Sequence, residues 1–259
     1  MENNNYLRNK EAYKLQSIVA YYLSIENLQK PEETILNLLK LELNGMKMLD
    51  IGVGGGRTTI SFAELVKEYI GIDYSEKMIE ACKNKFIDKS NVVFHVCDAR
   101  NMAIFQDECF DFILFSFNGI DSISHEDRIK ALNEIKRVLK SEKYFCFSTH
   151  NVQSIRNLFK FNFSFNFNKL RLSIKKFIKL RLINKQYKKL HMKNYAIFND
   201  GALNYKLQMY YIKPTFQIEQ LNNLGFKNIR IFSLHDGEQI NNNLENKEDP
   251  WLYYLCEKA

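Results

Sequence analysis

Residues 48–56 read Met-Leu-Asp-Ile-Gly-Val-Gly-Gly-Gly, and four of the ten glycines in the chain lie between positions 52 and 56. Glycine lets a backbone come close to a ligand, and the free amides at a helix start favour an anionic group. A dinucleotide-binding turn needs Gly-x-Gly-x-x-Gly. Counted from Gly52, the third position falls on Arg57; counted from Gly54, it falls on Thr59. The spacing that fits is Asp-x-Gly-x-Gly-x-Gly: Asp50, Gly52, Gly54 and Gly56. A carboxylate two residues before the first glycine suits a ligand carrying an ammonium group.

The elements that must position this turn follow from periodicity. Residues 10–43 read as two helices, the second starting at Pro31-Glu-Glu-Thr, with carboxylates at the positive helix end. Strands are expected at Lys47–Ile51, Tyr69–Ile72, Val92–Val96, Phe110–Phe115 and Tyr144–Ser148. Helices are expected over Thr58–Lys67, from an N-cap at Ser75 to Asn84, and over Glu126–Leu139. Five strands mostly separated by helices mean a parallel sheet with right-handed crossovers. Beyond Asn151 the pattern changes. Phe159, Phe161, Phe163, Phe165 and Phe167 alternate with polar residues at a strand period, and helical spacing starts at Lys169. A helix from Pro214 to Leu224, stopped by Gly225, and strands at Asn228–Leu234 and Trp251–Cys256 complete the α/β pattern.

The chain has 259 residues, 46% hydrophobic and 26% charged, which excludes a disordered or fibrous protein. Its longest apolar run near the N-terminus, Ile18 to Leu23, is too short for a membrane span or a signal-peptide core, so a cytoplasmic location is expected. The five cysteines, at 82, 97, 109, 146 and 256, form no Cys-x-x-Cys pair and read as small core residues; no metal site is expected. The net charge of +7 is unevenly spread. Arg156 to Lys193 holds 12 Lys or Arg and no acid, leaving 25 basic against 30 acidic residues elsewhere.

The glycine turn resembles the first motif of the class I S-adenosylmethionine-dependent methyltransferases. The likeness continues through Gly71-Ile-Asp-Tyr-Ser75, Cys97-Asp-Ala-Arg100, Phe110–Phe115 and Glu134–Leu139, in the family's order over residues 45–150. It implies a Rossmann-like sheet of seven mostly parallel strands, the last antiparallel, under an N-terminal helical cover. It also implies cofactor contacts from Asp50, Gly52, Gly54 and Gly56; from Asp73 to the ribose hydroxyls, beside Tyr74; from Met78 to the adenine face; and from Asp98, Ala99 and Phe115. Tyr13, Tyr21 and Tyr22 fall on the covering helix. Each residue also has a plainer reading, as helix cap, strand-end acid or core side chain.

Methyl transfer gains much of its rate from positioning, and transfer to a hydroxyl also needs a base. The candidates lie past strands four and five, in Ser116–Asp121 and Ser148–Asn151. Imidazole titrates near neutral pH, so His150 suits a base, with Asp121 and Tyr211 as further catalytic candidates. Asn118, His125, Arg128, Asn151 and Tyr210 are candidates for the acceptor site. The run Phe-Ser-Phe-Asn-Gly-Ile-Asp121 looks like a bacterial small-molecule subgroup found with surface-polysaccharide biosynthesis, which implies a sugar-type or phosphorylated acceptor. The residues divide into a cover (1–44), the methyltransferase body (45–151 and 209–259) and a basic insertion (152–208). The insertion reads as a lid meeting an anionic acceptor, as an RNA grip, or as an amphipathic surface for a membrane or partner. An RNA methyltransferase and a non-catalytic cofactor-binding scaffold are the rival readings of the whole.

Overall fold

The computed structural model describes residues 16–244 and 248–259, so Tyr13 lies outside the described residues. Two N-terminal helices, α1 (Gln16–Leu23) and α2 (Lys30–Leu43), precede β1 (Lys47–Ile51). There follow α3 (Arg57–Phe62), β2 (Glu68–Asp73), α4 (Glu76–Lys85), β3 (Val92–Val96), β4 (Phe110–Phe115), α5 (His125–Val138) and β5 (Leu139–Asn151). The C-terminal part holds α6 (Phe167–Ile183), β6 (Tyr195–Phe198), β7 (Met209–Ile212), α7 (Pro214–Asn223), β8 (Phe226–Ser233) and β9 (Trp251–Lys258).

The sheet core runs β3-β2-β1-β4-β5, all parallel. Strand β9 then pairs antiparallel with both β5 and β8. Alternate residues of each strand feed opposite faces. Leu49, Ile70, Ile113 and Phe145 pack with Leu132 and Ile135 of α5 and Leu221 of α7. Met48, Tyr69, Phe112 and Cys146 pack with Ile35 and Leu39 of α2, Phe62 of α3 and Cys82 of α4. Strands β1, β2, β4 and β5 must therefore be apolar on both sides, as a sheet between two helical layers requires.

The described sheet has nine strands, because β6 and β7 join the expected seven. Strand β7 pairs parallel with His150 and Asn151 at the end of β5, and β6 pairs antiparallel with β7. Between them, β9 and β7 pair with Tyr144–Asn151 of the thirteen-residue β5, carrying it past Ser148. Three local expectations change. The 159–167 alternation forms no strand, since no neighbouring strand is there to pair with it. Helix α3 ends at Phe62 because the Asn91 amide donates to the carbonyls of Ala63 and Val66, which a longer helix would use itself. The Ser75 hydroxyl makes no cap bond and is buried without a partner; the amide of Ser75 instead donates to Asp73 Oδ1 at 2.8 Å.

Candidate active site

A cleft of about 810 Å³, open solvent included, lies at the carboxyl ends of β1, β2, β3 and β4. Ligands bind there in open α/β sheets, beside the point where the strand order reverses. Of the residues expected at the cofactor, Gly52, Gly54, Asp73, Tyr74, Met78, Asp98, Ala99 and Phe115 line it. Asp50 and Gly56 do not. Asp50 is 1% exposed and accepts hydrogen bonds from the Thr58 and Tyr69 hydroxyls. Gly56 is the left-handed residue at the start of α3. Both shape the turn from behind, so the ammonium-binding reading of Asp50 gives way to a structural one.

The turn needs its glycines for stated reasons. Gly52 has φ +67°, and a side chain there would stand 3.2 Å from the Phe115 ring, in the floor of the cleft. A Cβ on Gly55 would stand 2.5 Å from the backbone of Tyr22, so α1 packs directly on the turn. Asp73 accepts from the amides of Gly54 (3.2 Å) and Ser75 (2.8 Å). Burial pushes its carboxyl up to about 6, against the pull of those amide bonds. Burial likewise raises Asp50 to about 6, opposed by the Thr58 and Tyr69 hydroxyls and by Arg57.

Asp98 is held by its neighbour. Arg100 donates to it from Nε and from a terminal nitrogen at 2.7 Å, and also reaches Asp127 at 2.7 Å. Arg57 lies at the other end, in a smaller compartment of about 350 Å³ that shares Tyr22, Gly52, Gly54, Ser116 and Phe117 with the cleft. Arg57 forms a buried two-pronged pair with Glu32 of α2, donates to Ser116 Oγ at 3.1 Å, and sits 5.2 Å from the Phe117 ring centre. Tyr253 of β9 also donates to Glu32, at 2.7 Å. Sequence reasoning missed this pair. Glu32 carries the ordinary signature of a helix-start acid, and only the fold brings it to Arg57.

After β4, Phe117 (φ +53°) and Asn118 (φ +59°) are both left-handed. Successive non-glycine residues in that region are strained and need surrounding structure to hold them. The Asn118 amide donates to Ser148 Oγ at 2.8 Å, and the Phe117 ring stands edge-on to Tyr22 and Trp251. The chain then turns through Gly119–Ser122, which places Asp121 under His150. Asp121 is wholly buried and accepts from Arg128 (2.7 Å), Thr149 Oγ1 (2.7 Å), the His150 amide (2.7 Å) and His150 Nδ1 (2.7 Å). A carboxylate only accepts, so Nδ1 carries a proton. Nε2 faces the Asn118 side-chain amide at 3.3 Å.

This arrangement corrects several expectations. Asp121 is an orienting residue, not one that meets a reactant. Arg128 is wholly buried, bonded to Asp121 and to Gln217 at 2.6 Å, and cannot reach an acceptor. Tyr210 is wholly buried with its hydroxyl on His125 Nδ1 at 2.8 Å, and His125 stacks on Tyr195. Burial lowers the pKa of His125. Asn151 is 1% exposed and caps the turn after β5 by accepting from the Gln153 amide. Tyr211 stacks on His150 at 4.6 Å and donates to Asp200; burial raises its phenol well above the ordinary value, so it stays protonated and packs the imidazole. His150 itself is 9% exposed, behind Asn118, and its loop neighbours Phe117 and Gly119 line the cleft. None of residues 152–208 lines either compartment.

Residues 48–142 match the family described as a methyltransferase domain. The chain is 38% identical over 99 residues to a demethylmenaquinone methyltransferase of Staphylococcus aureus, covering 37% of this chain and 39% of that protein. It is 34% identical over 107 residues to an uncharacterized methyltransferase of Bacillus subtilis, covering 40% of each. The match thus spans about two fifths of these relatives. Among solved structures, the 1,6-didemethyltoxoflavin-N1-methyltransferase of Burkholderia thailandensis, bound to its substrate and S-adenosylhomocysteine, superposes with a TM-score of 0.62 at 13% identity, covering 100% of this chain and 89% of that one. An S-adenosylmethionine-dependent methyltransferase of Clostridium acetobutylicum superposes with a TM-score of 0.60 at 15% identity, covering 89% and 91%. The chain has the Rossmann-like fold of these methyltransferases, and S-adenosylmethionine is the cofactor named for the Clostridium acetobutylicum protein. The cleft fits that group. Asp73 offers a fixed acceptor of the kind a ribose diol needs, Met78 and Ala99 offer an apolar wall, and Gly52 leaves room where a side chain would intrude.

Proposed function

We propose that the protein transfers a methyl group from S-adenosylmethionine to a small acceptor, and that the acceptor is a hydroxyl compound. The observation that carries the hydroxyl reading is the Asp121–His150 pair, which puts a proton on Nδ1 and turns Nε2 toward the Asn118 side chain. Bound in the cleft, the cofactor supplies an electrophilic methyl on a sulfonium. Asp73 holds the ribose, while Met78 and Ala99 hold the base. Phe115, Phe117 and Tyr22 exclude water from the end of the cleft nearest Ser116. Nε2 of His150 takes the acceptor proton once Asn118 turns aside, and Asp121 steadies the imidazolium that forms. Such a base contributes about 10²–10⁴-fold.

The wall of the cleft supports an uncharged, largely apolar acceptor. The guanidinium groups of the cleft (Arg100) and of the smaller compartment (Arg57) are both committed to carboxylates. The relatives named for demethylmenaquinone methylation act on a compound of that character. A phosphorylated or sugar-type acceptor, as for a capsule or surface-polysaccharide precursor, would need cations from the 152–208 segment, and an RNA acceptor would need more of them. The test is conversion of S-adenosylmethionine to S-adenosylhomocysteine over three acceptor sets: quinol or phenolic compounds, phosphorylated sugars, and short RNA. Turnover confined to the first set is the expected result. Turnover confined to phosphorylated sugars or RNA would refute the acceptor class while leaving methyl transfer intact.

A further inference from the structure

The 152–208 segment builds a small core with β7, from Ile155, Phe159, Leu180, Leu190 and Phe198 together with Met209, and leaves most of α6 outside it. In this seventeen-residue helix only Leu180 is buried. Residues four apart form rows along a helix. One exposed row is Ile174 (42% exposed), Ile178 (50%) and Leu182 (69%). The row beside it is Arg171, Lys175 and Lys179, all exposed. Just before the helix, Phe163 (66%) and Phe165 (98%) touch each other, and Phe167 (78%) opens the first turn. Folded proteins bury large apolar side chains when they can, so an apolar row set beside a cationic one across an exposed face calls for an occupant.

We propose that α6 and the phenylalanine segment before it dock on the surface of an anionic phospholipid bilayer. The helix is about 26 Å long at ~1.5 Å per residue, enough to lie flat in the interface. No helix of the described residues is long and apolar enough to cross a membrane, so the contact is peripheral. Two features choose this occupant. Twelve cations without one acid, from Arg156 to Lys193, complement a negative leaflet and repel a second copy of the same face. Ile174, Ile178 and Leu182 form an aliphatic row that an acyl boundary takes up and a phosphate backbone does not, and the exposed phenylalanines before the helix can enter the same boundary. The opposite, buried side of the helix is tied to the candidate base: Leu180 shares a core with Tyr211, whose ring stacks on His150. This inference goes beyond the proposed activity and does not depend on it.

The test is sedimentation of the whole protein with vesicles, with no cofactor or acceptor present. Vesicles of phosphatidylglycerol and phosphatidylcholine should bind it at least ten times better than phosphatidylcholine alone, and salt should weaken the binding. The combined variant Arg171→Gln, Lys175→Gln, Lys179→Gln should lose the preference for anionic vesicles. The combined variant Phe163→Ser, Phe165→Ser, Phe167→Ser should bind anionic vesicles at least fivefold less well with an unchanged circular dichroism spectrum, because these rings are exposed. Equal or absent binding to the two vesicle types would overturn the proposal. So would a phenylalanine variant that binds as the wild type does, or tight binding to a 20-nucleotide RNA with no vesicle binding.

Discussion

A carboxyl group raised to about 6 gives the site a pH signature. The bound ribose needs Asp73 as an acceptor, and protonation removes half of what the carboxylate offers. Affinity for S-adenosylhomocysteine should therefore weaken as pH falls from 8 to 5, with the bend near 6. Asp73→Asn should bind more weakly and show a flatter profile by calorimetry; an equally steep profile in the variant would move the titration to another group. Asp50 works the other way, on stability. Its folded value near 6 exceeds its unfolded value near 3.8, so its contribution is full below 3.8 and is lost as pH rises through 6, a cost on the order of 3 kcal/mol. Asp50→Asn keeps the acceptor and does not titrate. Its melting temperature should gain on that of the wild type between pH 4 and 7. His150→Ala should lower kcat by about 10²–10⁴-fold with cofactor affinity unchanged, and near-normal turnover would reduce the imidazole to packing. At this scale the sequence exposed residues whose role follows from a local motif, such as Asp73 at the end of β2. It concealed Arg57 and Glu32, because 25 residues and two elements separate them.

Elements meet at two places where the account is exposed to test. The first is the contact of α1 with the glycine turn. Gly55→Ala would place a methyl 2.5 Å from Tyr22 carbonyl atoms and 2.6 Å from the Leu23 amide, and backbone cannot yield as a side chain can. The variant should release α1, seen as faster proteolysis ahead of residue 30 and as weaker cofactor binding; an unaltered cleavage pattern would contradict the packing. The second is Asp121, which joins the turn after β4 to α5 and β5. Asp121→Ala leaves Arg128 buried and unpaired, at a cost of about 3–5 kcal/mol. The expected fall in melting temperature is roughly 6–20 °C, at about 2–4 °C per kcal/mol for a chain of this size. The core strands were readable because apolar runs between helices leave few alternatives: β1, β3 and β4 begin and end as periodicity predicts. The phenylalanine alternation at 159–167 misled because period two states how side chains would face, not whether a partner strand exists. Strands β6 and β7 escaped notice because they are four residues each and gain their place only through the long end of β5.

At the scale of the whole molecule, charge and fold separate the labours. The sheet and its glycine turn form a mildly acidic body with the cleft, and the cations are gathered on one segment that lines neither compartment. The lining of the cleft was legible from the sequence because it comes from strand ends in a fixed order. The acceptor half was not, since Phe117, Asn118 and His150 are arranged by backbone strain and by a buried ion pair that no motif announces. The central claim is that this cleft holds S-adenosylmethionine through Asp73, and calorimetry of S-adenosylhomocysteine against the wild type and Asp73→Ala at pH 8 tests it most directly. The account predicts one site per chain and a loss of about 1–3 kcal/mol in the variant, the cost of stranding the diol's hydrogen bonds. No binding to the wild type, or equal affinity in the variant, would contradict it.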